Sequence, residues 1–301
     1  MQSRRGATAV AETALWAPDY ALTPGLHLVA TPIGNLGDIT VRALWVLRHA
    51  DRILCEDTRV TARLLARYGI DRPLDPYHEH NAERARPAIL AALRAGATLA
   101  LVSDAGTPLV SDPGYKLVRA ALAEGLPVGA APGPSAVPTA LILSGLPSDA
   151  FLFAGFLPPR SAGRRRALAR WTSLAATLIF FEAPSRLAAA LADMADILGD
   201  RPAAVARELT KRHEEVRRGR LAALARHYRE AGAPKGEAVV VVGPPEGAVA
   251  IVSEAELDAR LGALLGDRSL RDAATQLAVE TGIGRRAIYE RGLVLQRGSK
   301  R

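Results

Sequence analysis

The chain has 301 residues and a formal charge of +8, long enough for roughly two domains whose cores need no covalent staples. Its single cysteine, Cys55, excludes a disulfide framework and a cysteine zinc cluster, and implies a reducing, cytosolic location. No run approaches the roughly 18 apolar residues of a membrane span, and the stretch after Arg4 and Arg5, broken by Glu12, is too short for an export signal.

Residues 1–24 read as a loose tail, followed by an α/β domain over 25–147. Short apolar runs at Leu26–Ala30, Arg52–Cys55, Thr98–Val102 and Pro127–Ala131 predict strands with helices between them, the signature of a parallel sheet with crossovers. Val41, Leu44 and Leu47 recur on one helical face behind possible caps at Asp38 or Thr40. Gly145-Leu146-Pro147-Ser148 marks the boundary to a second α/β domain over 148–246. Its predicted strands are Phe151–Phe153, Thr177–Phe181, Ala203–Ala206 and Ala238–Val242, with a helix from Ser185 to Leu198 and a loop over Gly155–Gly163. After Gly243-Pro244-Pro245 the pattern becomes wholly helical. Ser253 with Glu256, Ser269, and the Thr281–Gly284 turn outline a helix-turn-helix-like module over 251–301 that either binds nucleic acid or only packs.

Three strand-end loops share one composition: Thr31–Asp38, Ser103–Gly114 and Ala131–Ser135. At the carboxyl edge of a parallel sheet they would converge on a ligand, with Gly106 opening the backbone, Pro108 stiffening it, and Asp104 offering a carboxylate to a cationic or hydroxyl-rich group. No phosphate-loop sequence and no dinucleotide fingerprint occurs, which removes nucleotide hydrolysis and hydride transfer. His78 and His80 lack a second ligand pair and read as a loop, not as a metal site. Two basic blocks, Arg160 to Arg170 and Arg207 to Arg229, favour an anionic partner, with nucleic acid foremost.

Thr31–Leu36, Glu56-Asp57-Thr58-Arg59, Ser103–Gly114, Pro132-Gly133-Pro134-Ser135, Gly155-Phe156-Leu157-Pro158, Arg207–Lys211 and Gly236-Glu237 occur in an order that resembles the tetrapyrrole methylase (class III) superfamily. Within it, S-D-A-G-T-P together with E-D-T-R and R-E-L-T-K is similar to the branch that methylates a cytidine ribose 2′-oxygen in 16S rRNA. The resemblance runs from Leu26 to Val242, and more loosely through the C-terminal helices. It implies S-adenosylmethionine in a cleft between two α/β domains, contacted by Pro32, Asp104, Ala105, Gly106, Thr107, Pro108, Ser135, Ala206 and Glu237. It also implies 16S rRNA of the small ribosomal subunit as partner, a homodimer, and no membrane.

Methyl transfer from a sulfonium to an alcohol needs an aligned hydroxyl and a route for its proton, and no metal. Glu56, Asp57, Glu182, Glu208 and Lys211 are the candidates for that proton. Arg59, Arg164, Arg165, Arg166 and Arg207 are candidate RNA contacts; Lys211 can also serve phosphate, and Arg59 can pair with Glu56. Ser185 stands where the family commonly has a histidine before Arg186, so no role of that histidine carries over. Two other readings remain: a tetrapyrrole ring as substrate, or a non-catalytic ribosome-binding factor.

Overall fold

The structure, a computed structural model, describes residues 21–245, 254–281 and 283–298. The expected tail up to residue 20, the Ser253 cap and Gly282 lie outside the described residues. Contacts divide the chain into two units: Met1–Thr139 with Glu208–Glu214, and Ala140–Arg207 with Glu215–Arg301. The division thus falls ahead of the Gly145–Ser148 signal, and a short segment from later in the chain belongs with the first unit.

The first unit holds β1 (Gly25–Val29), β2 (Arg52–Cys55), β3 (Leu74–Pro76), β4 (Thr98–Val102) and β5 (Val128–Ala131). They form one sheet in the order β3-β2-β4-β1-β5, with every neighbouring pair parallel. Helices α1 (Val41–His49) and α2 (Thr58–Arg67) cover one face, and α3 (Ala82–Arg94) and α4 (Tyr115–Ala123) the other. Strand β4 is buried throughout: Leu99 and Leu101 pack with α3 and α4, Ala100 and Val102 with α1 and α2. That is why Thr98–Val102 reads as an unbroken apolar run and not as an alternation. Truncating Leu101 to alanine would cost about 2–5 kcal/mol. Thr40, not Asp38, caps α1, its hydroxyl accepting from the Ala43 amide at 3.1 Å. β3 carries no apolar signal. It is an edge strand, which is where Pro76 is tolerated.

Helix α5 (Ala136–Ser144) leads into the second unit. There β6 (Phe151–Phe156), β7 (Thr177–Glu182), β8 (Pro202–Arg207), β9 (Glu215–Arg220) and β10 (Ala238–Val242) lie in the order β6-β7-β10-β8-β9. Only β6 and β7 run parallel; the other pairs are antiparallel. The β8–β9 connection explains their pairing: Glu208–Glu214 is too short for a crossover helix, so β9 must fold back on β8. Edge strand β9, Glu-Val-Arg-Arg-Gly-Arg, is largely exposed and charged, a composition that blocks further pairing and hides the strand from a hydrophobic reading. Helices α6 (Ser161–Ala169), α7 (Leu187–Leu198) and α8 (Leu221–Glu230) join a core around Phe180, Met194 and Tyr228. The expected Gly155–Gly163 loop is mostly structured, since β6 continues to Phe156 and α6 begins at Ser161.

The C-terminal module consists of α9 (Glu254–Leu264), α10 (Leu270–Thr281) and α11 (Arg285–Gly298) around Leu257, Leu261, Leu277 and Ile288. Ser269 caps α10 by accepting from the Asp272 amide at 3.1 Å, and Arg291 ties α11 to α9 through Asp258 at 2.6 Å. No helix among the described residues is long and apolar enough to cross a membrane.

Candidate active site

In the first sheet β1 and β4 are neighbours, yet the helices that follow them leave on opposite faces. The direction in which the chain travels across the sheet thus reverses between them, which puts their exit loops at the switch point at whose carboxyl ends ligands bind in open parallel sheets. The loops are stitched by backbone bonds: the Thr31 amide donates to the Gly106 carbonyl at 2.9 Å, and the Gly106 amide returns to Thr31 at 3.0 Å. Thr31 Oγ1 donates to the Ser103 carbonyl at 3.1 Å, and Thr107 Oγ1 to the Pro134 carbonyl at 3.2 Å, which fastens the third loop to the second. Gly106 has φ +81°, and a Cβ there would stand 3.2 Å from Ile33, so glycine serves both the turn and the close approach. Of the residues assigned to a cofactor, Pro32 and Pro108 are buried supports, Asp104, Thr107 and Ser135 are half-buried, and Ala105 is exposed.

Four carboxylates gather around the ends of β2 and β4. Asp104 Oδ1 accepts the Asp57 amide at 3.1 Å, which links the second and fourth strand ends. Asp57 itself caps α2 through the Arg59 amide at 2.8 Å and pairs with the Arg59 guanidinium at 2.7 Å. The Arg59 bonds hold its carboxyl down at about 2, making Asp57 a poor proton acceptor. Arg59 therefore partners Asp57 and not Glu56. Burial, aided by Asp104, pushes Glu56 upward. Asp112, which the sequence reading did not single out, is pushed up to about 6 by burial and by the charges of Glu56 and Asp104. A signal was present: Ser103-Asp104-Ala105-Gly106 is echoed by Ser111-Asp112-Pro113-Gly114 in the same loop.

The segment Glu208–Glu214 adds the remaining chemistry to this unit. Glu208 and Thr210 adopt left-handed φ of +49° and +65°, a strained arrangement of the kind found at functional positions. Lys211 Nζ pairs with Glu208 at 2.8 Å, and the Lys211 stem crosses Gly34 so closely that a Cβ there would lie 2.4 Å from Cγ. The glycine of Thr31–Asp38 thus makes room for Lys211.

In the second unit the strand register sets Glu182 and Arg207 opposite Ala238, so Glu182, Ala206 and Glu237 share one end of that sheet. Ala206 is buried and Glu237 exposed. The Glu182 side chain is fully enclosed and paired with Arg186 at 2.6 Å, which removes it from the candidates for taking a proton from RNA. Arg164 is a correction. Helix α6 turns it inward, where at 3% exposure its guanidinium binds Asp193 of α7 at 2.6 Å, so it supports the fold and presents nothing to a phosphate. Arg165 spans Asp193 and Asp196 at 3.0 and 2.8 Å, Arg207 pairs with Glu215 at 2.7 Å, and Arg166 is exposed.

Comparison with known proteins adds a family. The profile of the tetrapyrrole (corrin/porphyrin) methylases matches residues 25–225, and that of the RsmI C-terminal HTH domain matches residues 251–296. Among curated proteins, the ribosomal RNA small subunit methyltransferase I of Mesorhizobium japonicum is 53% identical over 280 residues, 93% of this chain and 95% of its own. The protein of that name from Pseudomonas aeruginosa is 45% identical, covering 90% of this chain and 97% of its own. Among solved structures, a cobalt precorrin-4 methyltransferase aligns with a TM-score of 0.55 at 20% identity, over 72% of this chain and 94% of its own. A uroporphyrin-III C-methyltransferase from Thermus thermophilus, complexed with S-adenosylhomocysteine, aligns with a TM-score of 0.51 at 21% identity, over 72% and 97%. At those identities the structural likeness speaks for the fold alone.

Proposed function

We propose, from the premise that the chain belongs to the ribosomal RNA small subunit methyltransferase I family of tetrapyrrole-type methylases, that it methylates the ribose 2′-hydroxyl of a decoding-site cytidine in 16S rRNA within the small subunit. The chain is a ribosomal RNA methyltransferase by family, and S-adenosylmethionine is its proposed methyl donor. The observation that carries the proposed site is the stitched junction of the Thr31–Asp38, Ser103–Gly114 and Ala131–Ser135 loops beside a cluster of carboxylates.

S-adenosylmethionine supplies a methyl group on a cationic sulfur, open to in-line displacement by an alcohol oxygen. Asp104, Ala105, Gly106, Thr107 and Ser135 are proposed to grip it, with Pro32 and Pro108 holding their loops in shape. The residues suit such a ligand, because clustered carboxylates that repel one another, and that push Asp112 up to about 6, gain from a nearby cation. For the hydroxyl proton the proposed acceptors are Glu208, which Lys211 holds at 2.8 Å, and Glu56, which burial pushes upward. The accepting carboxylate would take the hydroxyl proton, so that the ribose oxygen could take the methyl group the cofactor supplies. Arg59, Arg165, Arg166 and Arg207 remain proposed RNA contacts. The protein is proposed to act as a cytoplasmic homodimer.

Small subunits lacking the modification, incubated with the protein and S-adenosylmethionine and then digested, test this reading. Mass analysis should find one 2′-O-methylcytidine per subunit. Methylation on a base, or none, would overturn it.

A further inference from the structure

Strand β6 carries an irregularity whose consequence is chemical. Phe153 pairs with Ile179 and Phe156 with Phe181, so three steps on β6 match two on β7, and Gly155 takes φ +65° within the bulge. Leu152 and Ala154 pack against the core of the second unit, and regular alternation would send Phe156 the same way. The bulge reverses the parity and brings Phe156 to the other face, where its ring centroid lies 5.5 Å from Phe181, itself 4.8 Å from Phe153. There Phe156 is 56% exposed. Leaving such a ring in water forgoes about 1.5–3 kcal/mol of burial. A glycine-dependent bulge that turns an aromatic ring out of a core, and props it edge-on against Phe181, itself packed on Phe153, builds a rigid, accessible aromatic surface.

We propose that Phe156 is the stacking platform for an unstacked base of the RNA substrate, the target cytosine or its immediate neighbour. This rests on the rRNA reading above and deepens it. A ribose hydroxyl in folded RNA becomes accessible to a reacting group when its nucleotide is splayed out, and the freed base then stacks on an aromatic side chain. The charge around the ring fits that occupant: buried Leu157 and the stiff Pro158-Pro159 pair lead straight to exposed Arg160 and the start of α6, which also bears exposed Arg166. A base attached to phosphates satisfies both the ring and the arginines.

Three variants test it: Phe156→Leu, which keeps the apolar bulk and loses the flat face, Phe156→Ala, and Phe156→Trp. kcat/KM on small subunits should fall about 10- to 100-fold in the leucine and alanine variants, and stay within about threefold of the parent in the tryptophan variant. Calorimetric affinity for S-adenosylmethionine and the sedimentation of the protein should not change. A single-stranded decoding-site RNA carrying 2-aminopurine beside the target should be quenched on binding to the parent and to Phe156→Trp, and not to Phe156→Leu. Leucine matching the parent in rate and quenching would overturn the platform. A variant that sediments as a smaller species would overturn it differently, by making the ring an interface between copies. A parent protein that quenches the RNA yet adds no methyl to rRNA would leave the platform standing and sink the proposed function instead.

Discussion

The two sheets hold their functional residues by different means. In the first, the strand-end loops are fixed mainly by main-chain bonds and hydroxyl-to-carbonyl bonds, such as Thr31 to Gly106 and Thr107 to Pro134, ion pairs hold Asp57 and Glu208 among its candidate carboxylates, and Asp112, Glu56 and Asp104 are crowded enough to repel one another. In the second, position is fixed by ion pairs: Arg164 with Asp193, Arg186 with Glu182, Arg207 with Glu215. A frame made of backbone leaves side-chain charge available for a ligand. A frame made of charge spends it on the fold. Counting arginines therefore overstates the phosphate-binding capacity of the second unit, and counting carboxylates understates the reactivity of the first.

That contrast can be broken most sharply at Glu208. If the first unit keeps its carboxylates for chemistry, Glu208→Gln should lower kcat by about 10²–10⁴-fold with S-adenosylmethionine affinity nearly unchanged, read by single-turnover methylation and calorimetry. A Glu56→Gln variant that loses as much while Glu208→Gln does not would move the acceptor to β2. Arg164 tests the other half. Removing one partner of a buried pair strands the other charge, so Arg164→Ala should cost about 3–5 kcal/mol of stability, seen as a lowered unfolding midpoint. Exposed Arg166→Ala should leave the midpoint within about 0.5 kcal/mol while reducing the salt dependence of RNA binding. Gly106→Ala comes next. With φ +81° and only 3.2 Å to Ile33, the added methyl should weaken S-adenosylmethionine by roughly 1–3 kcal/mol while the sheet still folds.

Much of the first unit was legible because its signals are local. Thr98–Val102 is apolar on both faces, and Gly106 and Pro108 mark a turn by their own backbone limits. Three of the strand-end loops could be read in this way, and the structure stitches them together. What stayed hidden depends on pairing across the fold. Nothing in Arg164-Arg165-Arg166 says that the first arginine faces a buried Asp193 while the third faces water. Glu215–Arg220 has no apolar alternation because an edge strand needs none. The return of Glu208–Glu214 to the first unit, which sets Lys211 over Gly34, is a long-range contact that no local pattern encodes.

Asp112 gives the gentlest test of whether the first unit's carboxylates answer a cation. Its carboxyl is pushed up to about 6 by burial and by Glu56 and Asp104, so in the folded protein it holds a proton that the unfolded chain has already released. Between about pH 4 and about pH 6 the folded state therefore binds the extra proton, and stability contributed by this group declines as pH rises through that window. A sulfonium nearby reverses the preference, since it favours the ionised form and must draw the pKa down. Affinity for S-adenosylmethionine should accordingly rise by a few-fold from about pH 5 to about pH 7 and then level off, with proton release on binding near pH 6 detectable in buffers of different ionisation enthalpy. Asp112→Asn should flatten that rise and abolish the release, while gaining stability relative to the parent above about pH 6. If the asparagine variant keeps the full slope, the proton belongs to Glu56, and the carboxylate that senses the cation sits at the end of β2, not in the loop after β4.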